Sequence, residues 1–364
     1  MNKKGIFISA TNQHIGKTTV CLGLISGLNK RLNKVGFIKP VGQEHVTYQD
    51  VRVDKDVVLF KDHFNLPSTI ESMSPVIFDR GFTRDYLDQK VNLDQLQNKI
   101  SSCYQTLEKE NDFVVVEGTG HVAVGSICDL NNAQVAKQLG LEAILIAEGG
   151  LGSSFDRLTL NKDEFEKHGV KVKGIILNKV IEDKIDMVEN YMTKALSKWN
   201  IPFLGIIPFN CFLSTPSMAD YQSLFKTEVF SGKENLLDHY KKYSLVACSE
   251  TRFEQTIEQD QLIITPANRE DIILVILSHY WDQKIASLPF KTGLILTGTT
   301  PPSKSIIEQL KKAHIPALYA PLSSYKVTQK ISSHIAKIQK EDMEKIEEAK
   351  QAVESHINFD LLLN

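Results

Sequence analysis

The stretch Gly5 to Leu32, GIFISATNQHIGKTTVCLGLISGLNKRL, constrains this chain more than any other. It reads as a buried strand, a turn carrying Gly16-Lys17-Thr18, and then a helix. A strand that feeds a helix through Gly-Lys-Thr aims several backbone N–H groups and the helix N-terminus at one point, where Lys17 adds a full positive charge. A lysine facing the crest of a buried strand needs an anion to offset its desolvation. The spelling departs from G-x-x-x-x-G-K-[ST], because Thr11 holds the first glycine position. The context of strand, loop and helix therefore carries the reading.

That context predicts a bound triphosphate, with Mg-ATP as the first expectation. The loop residues Thr11, Asn12, Gln13, His14, Ile15, Gly16, Lys17, Thr18 and Thr19 would surround it. Lys17 would reach the β- and γ-phosphates, and the Thr18 hydroxyl would meet Mg²⁺.

The remaining chain repeats strand and helix. Val20, Leu24, Ile25, Leu28 and Leu32 fall at helical spacing, and KVGFIKPVG supplies a second strand that stops at Lys39-Pro40. VRVDKDVVLF carries Asp54 and Asp56 into a helix-like segment, followed by a polar, proline-marked region to about Leu87. Leu93, Leu96, Ile100, Tyr104 and Leu107 predict a helix before the Val-rich strand DFVVVEGTGH, which places Glu117 near a strand's carboxyl end. Helices at 133–139, about 153–168 and about 183–199 alternate with strands EAILIAEGG, KGIILNK and PFLGIIP. This is a βαβ series, and it predicts a doubly wound, mostly parallel α/β sheet of roughly six or seven strands, with ligands at their carboxyl ends. The expected divisions are a nucleotide-binding domain at 1–222, a linker at 223–242, a smaller α/β domain at 243–340 and a helical tail at 341–364.

Composition narrows the partners. At 364 residues the chain is long enough for about two domains. A net charge of -2, from 42 basic and 44 acidic residues, gives no basic footprint for nucleic acid or an acidic membrane. Small-molecule or protein partners are expected. No stretch reaches the roughly 18 apolar residues of a membrane span, so a soluble protein is expected. The five scattered cysteines form no C-x-x-C pair, and a reducing cytoplasm is the expected home.

Other residues carry a functional and a bland reading side by side. Glu117 would hold Mg²⁺ or its water, or be a solvated strand-end acid. Asp54 and Asp56 would ligate the metal or simply cap the following helix. Lys39 would stabilise phosphoryl-transfer charge, or be a surface lysine. The turn Gly149 to Ser154 would approach a substrate anion or pack a helix closely on a strand. Asn178 would read an adenine edge or cap a helix. His121 is read as a hydrogen-bonded loop residue and Cys248 as a core cysteine.

The ordered set ATNQHIGKTT, VGFIKPVGQ, VDKDVVLF, VVVEGTGH and the Asn-Lys after GIIL resembles the dethiobiotin synthetase-like P-loop family over roughly the first 220 residues. Ala10-Thr11 lies where that family writes Gly-Thr, so the unusual loop spelling is a family mark. The resemblance implies ATP at the loop with Lys17 and Lys39 catalytic, Lys39 touching a substrate carbamate and phosphate. It further implies Thr18, Asp54 and Glu117 as metal positions, Asn178 near adenine, and a homodimer formed along the nucleotide domains. ITPANREDIILVIL with LILTGTTPPS resembles the DRTGG domain, but Asn268-Arg269 and Thr297-Gly298-Thr299 stand where the family's own signatures would be. The pairing is similar to the amino-terminal region of long phosphate acetyltransferases, and Gln43 fits that branch, dethiobiotin synthetases usually having serine there. No acetyl-transferring domain is expected before Asn364, so acetyl transfer is not expected of these residues.

Two functions follow as expectations. One is ATP hydrolysis or ATP-dependent activation of a carboxylate or carbamate. The other is a nucleotide-responsive regulatory module whose second domain receives a metabolite or partner.

Overall fold

β1 (Gly5–Ala10) is buried at all six positions, as an unbroken apolar run requires of a central parallel strand. Gly16, at φ 100, turns the chain into α1 (Lys17–Asn29). β2 (Val35–Ile38) and β3 (Val41–Gly42) are interrupted by Lys39-Pro40, where proline offers no ladder N–H. An antiparallel hairpin of β4 (His45–Tyr48) and β5 (Val51–Asp54) follows, closed by Gln49 and Asp50, both at positive φ. The computed structural model describes residues 4–364.

Next come α2 (Lys55–His63), α3 (Ile70–Met73), β6 (Val76–Ile77) and α4 (Phe82–Leu87). α5 (Leu93–Glu110) buries Ile100, Tyr104 and Leu107, three positions of the predicted stripe. The alternation then runs β7 (Phe113–His121), α6 (Asn132–Gln138), β8 (Ala143–Glu148), α7 (Gly152–Lys167), β9 (Val172–Val180), α8 (Ile185–Leu196) and β10 (Phe203–Pro208). Six strands form one sheet in the order β10-β9-β8-β1-β7-β2, and every pair is parallel. This is the doubly wound α/β arrangement expected. The strand order reverses around β1, so the crevice lies at the carboxyl ends of β1, β7 and β8.

The chain divides into two units, one running to Asn210 and resuming at Ile338–Asn364, the other spanning Cys211–Lys337. The second contains α9 (Cys211–Ser214), α10 (Met218–Phe225), β11 (Val229–Ser231), β12 (Lys242–Leu245), α11 (Glu250–Glu254), β13 (Gln261–Pro266), α12 (Glu270–Ile285), β14 (Thr292–Thr297), α13 (Lys304–Ala313), β15 (Ala317–Ala320) and α14 (Ser324–Ser333). Its sheet has the order β11-β15-β14-β13-β12, with β11 antiparallel and the other pairs parallel. Separate apolar clusters form on it, one including Ile263 and Leu294 and the other Leu262 and Ile295, residues that alternate along β13 and β14.

These divisions differ from the expected boundaries, for identifiable reasons. The residues expected to end the first domain and form a linker give Met218, Tyr221 and Val229 to the second unit's core, and β11 to its sheet. The expected tail is α15 (Met343–Glu354) and α16 (Phe359–Leu363), which belong to the first unit. The predicted apolar face of Ile346, Ala349 and Val353 is fully buried there, packed with α1.

Candidate functional site

The loop between β1 and α1 is braced by neighbouring strands. Thr11 N–H donates to Ile146 O of β8 over 2.9 Å. Asn178, in β9, donates its Nδ2 to Ile15 O over 2.7 Å and accepts at Oδ1 from Lys179 N–H over 2.9 Å. Lys179 Nζ donates to His14 O over 2.7 Å. A Cβ on Gly16 would lie 2.5 Å from Asn178 Nδ2, and φ is 100, so glycine alone suits this position. Asn12 Oδ1 accepts from Gln13 N–H at 2.8 Å, while the buried Thr11 Oγ1 has no partner among the described residues. α1 has no side-chain N-cap, which leaves its first N–H groups for a ligand.

Charge converges at the head of α1. Lys17 Nζ donates to Gly120 O at 2.7 Å, and the Thr18 hydroxyl donates to Glu117 Oε1 at 3.1 Å. Glu117 is 1% exposed and its Oε2 has no hydrogen-bond partner among the described residues. Burial pushes the Glu117 carboxyl up to about 7; Lys39 pulls it down, Asp56 raises it further, and Lys17 again lowers it. Burial also lowers the Lys17 ammonium, partly opposed by Glu117.

Lys39 is buried and ion-paired to Asp54 at 2.9 Å and to Asp56. Burial disfavours its charge, but Asp56, Glu117 and Asp54 together hold it well above the ordinary lysine range. Asp54 caps α2: its Oδ1 accepts from Lys39 Nζ and, at 3.0 Å, from Asp56 N–H. Its Oδ2 accepts from Gln43 N–H at 3.1 Å and Glu44 N–H at 3.4 Å. Asp54 thus caps α2 and also fixes the turn carrying Gln43. Asp56 sits in the first turn of α2, partly exposed and facing Lys39.

No group of three or more His, Cys, Asp or Glu among the described residues could by itself hold a metal. The donor set nevertheless fits Mg²⁺, a hard cation bound to phosphates through few protein oxygens and several waters. The buried, unpartnered Glu117 Oε2 beside the Thr18 hydroxyl is the observation that supports this.

The Gly149 to Ser154 turn divides between its two readings. A Cβ on Gly149 would meet Val180 Cα at 2.8 Å, which is close packing, whereas one on Gly152 would meet nothing within 4 Å. His121 Nδ1 accepts from Ala123 N–H at 3.3 Å; the residue is hydrogen-bonded as expected but is the last of β7 and not part of a loop. Cys248 is exposed, which corrects the core reading: it follows edge strand β12, outside the sheet's packed faces. In the second unit, Arg269 pairs with Asp271 at 2.7 Å and donates to Cys248 O at 3.0 Å. Thr297 and Ser324 share a hydroxyl contact at 2.7 Å.

Two further asparagines, neither singled out by a sequence motif, fix the turns around the site. Asn132 Oδ1 accepts from Thr119 N–H at 3.0 Å, and its Nδ2 donates to Thr119 O at 2.9 Å and His121 O at 2.8 Å, pinning the turn after Glu117. Asn161 Oδ1 accepts from Val122 N–H at 3.2 Å and Nδ2 donates to Thr11 O at 3.4 Å. A polar residue at a core-facing helical position was the available signal in both.

The AAA domain family matches residues 4–217, more than half of the chain. The chain belongs to that family. The DRTGG domain family matches residues 220–334 of this AAA-family protein. A phosphate acetyltransferase of Nitratidesulfovibrio vulgaris is 26% identical over 362 residues, covering 97% of this chain and 50% of its own length. An ATP-dependent dethiobiotin synthetase of Methanocaldococcus jannaschii is 30% identical over 203 residues, 56% of this chain and 92% of its own. The chain thus spans about half the length of the phosphate acetyltransferase it matches. Among solved structures, the MinC:MinD cell division complex of Aquifex aeolicus is 14% identical, with a TM-score of 0.37 over 58% of this chain and 84% of that one. No described helix is long and apolar enough to cross a membrane.

Proposed function

We propose that this chain binds ATP with Mg²⁺ at the segment of residues 11–19, which leads into α1, and transfers the γ-phosphoryl group to a carboxylate or carbamate, or slowly to water. The observation that carries this reading is the convergence of Lys17 Nζ, Thr18 Oγ1 and the unpartnered Glu117 Oε2 at the uncapped head of α1. The acceptor oxygen forms a bond to the γ-phosphorus as the bond to the bridging oxygen breaks, and ADP departs with that electron pair. Lys17 and the α1 N–H groups stabilise the charge gathering on the β- and γ-oxygens. Lys39 leaves its carboxylate partners to meet the acceptor.

Thr18 and Glu117 would hold Mg²⁺, whose chemistry is to neutralise phosphate oxygens. Full engagement of the Asp54 oxygens supports Asp56 as the third member, in place of the Asp54 implied by resemblance. Asn178 would stand near the adenine while bracing the loop. A dimer along the nucleotide units goes with this reading, and sedimentation as a monomer at micromolar concentration would count against it.

The test is ADP formation by the purified chain with Mg-ATP, bicarbonate and a panel of diamines. Turnover no greater than that of the Lys17→Ala variant would sink the proposal.

A regulatory module responding to nucleotide is the second reading. It is supported by the DRTGG match and by Lys39 being held between Asp54 and Asp56. Nucleotide would then change the chain's susceptibility to proteolysis, and identical cleavage patterns with and without Mg-ATP would oppose it.

A further inference from the structure

α1 packs on β1, β2 and β7 and also on α15, a helix that neither family match reaches. The approach is close because α1 carries Gly23 and Gly27, one turn apart on one face. A Cβ on Gly23 would lie 2.2 Å from Val353 Cβ, and one on Gly27 would lie 2.2 Å from Phe359 Cζ. The segment between these two contacts is fixed to β10. Asn358 N–H donates to Leu204 O at 2.8 Å, and a Cβ on Gly205, at φ 149, would meet His356 O at 1.9 Å. At the far end of α1, Arg31 lies 4.3 Å from the Phe359 ring centroid and donates to Gly27 O at 2.8 Å. Lys30 pairs with Glu354.

We propose that residues 343–363 are a positioning element of the nucleotide site, acting through α1. This rests on the reading that the loop binds nucleotide. Val20 through Leu28 are all buried, so α1 has no solvent-facing side on which to slide or roll. The helix carries Lys17 and Thr18 at its head, and Gly27 lies about 16 Å along its axis from Gly16 at roughly 1.5 Å per residue. A stiff helix passes a displacement at Gly27 to the phosphate-binding head almost undiminished. Phosphoryl transfer depends on placement, and an error of about 1 Å can cost on the order of 100-fold. Coupling of this kind is reciprocal, so nucleotide should tighten α15 and α16 in return.

The test uses the full chain and a fluorescent ADP analogue with Mg²⁺. Gly27→Ala is expected to keep its helical signal and bind about tenfold more weakly, within the usual range of coupling between sites. Trimming the opposing ring with Phe359→Leu in the same chain is expected to restore most of that loss. A folded Gly27→Ala variant that binds like wild type overturns the positioning role. Equal weakening in the single and double variants also overturns it. Should Gly27→Ala fail to fold, amide exchange of the wild-type chain decides: slower exchange across 343–363 with Mg-ADP supports the proposal, and unchanged exchange overturns it. Wild type that binds no better than Lys17→Ala sinks the nucleotide reading itself, a result separate from these.

Discussion

The Thr18 hydroxyl holds Glu117 through Oε1 at 3.1 Å, while the second oxygen of that carboxylate is buried without a partner among the described residues. A carboxylate so placed resists ionisation until a cation arrives. Its pKa rises from 4.5 to about 7 because of burial. The folded protein therefore binds more protons than the unfolded one between those values, and the Glu117 contribution to stability falls as pH rises through that window. Above it the penalty is constant. Glu117→Gln removes the titration, so the variant should gain stability relative to wild type from pH 5 to pH 8, by roughly 3 kcal/mol at most. Urea unfolding at several pH values measures this, and a constant difference would refute it. Mg²⁺ should reverse the trend for wild type only, because it favours the ionised form.

Asp54 and Asp56 should separate in their effects. Asp54→Ala leaves Lys39 with a broken buried pair and removes the cap of α2, which should cost about 3 to 5 kcal/mol. Asp56→Asn, partly exposed, should cost about 1 kcal/mol and chiefly weaken the Mg²⁺ dependence of nucleotide binding. Denaturant midpoints and Mg²⁺ titrations on both variants check the assignment. A stable Asp54→Ala protein that has lost only its Mg²⁺ dependence would restore Asp54 as the ligand.

How far the sequence carries this site depends on whether an element announces itself locally. Lys17 and Thr18 do, because strand, glycine turn and helix are contiguous and each has its own period. The parallel sheet is legible in the same way, from Val-rich runs alternating with helical stripes. The difference between Asp54 and Asp56 is not, since it depends on where Gln43 and Glu44 point their N–H groups. Asn132 and Asn161 were hidden for the same reason: their partners lie in other segments. The hairpin through Gln49 and Asp50 lacks the usual glycine, so its turn gave no signal. The role of the last helix needed the depth of the glycine notches on α1, which only packing reveals.

Asn178 lies inside β9 and does not cap the following helix, which leaves a choice between bracing the loop and reading adenine. As a brace it holds Ile15 O, and Asn178→Ala should weaken ATP and GTP binding alike, by about tenfold, through a looser loop. As an adenine reader it would discriminate, and the variant would lose ATP affinity while GTP affinity stayed level. Calorimetry with both nucleotides decides, and parallel losses are the expected outcome because Gly16 packs against this amide at 2.5 Å from its would-be Cβ.

Ending the chain at Lys337 should abolish the first unit, although every residue of the phosphate loop and the whole AAA match would remain. The lost residues include Ile346, Val353, Ile357, Phe359 and Leu362, each at most 7% exposed. At roughly 1.5 to 3 kcal/mol for each large apolar side chain, their removal approaches about 10 kcal/mol. Whole domains are stable by only about 5 to 15 kcal/mol, so little would be left to oppose unfolding. The notches at Gly23 and Gly27 would also open, exposing the backbone of α1 to water along the face now filled by Val353 and Phe359. The shortened chain should lack a cooperative urea transition for the nucleotide unit and bind no Mg-ADP. A cooperative transition with wild-type affinity would mean that α1 is held by the sheet alone.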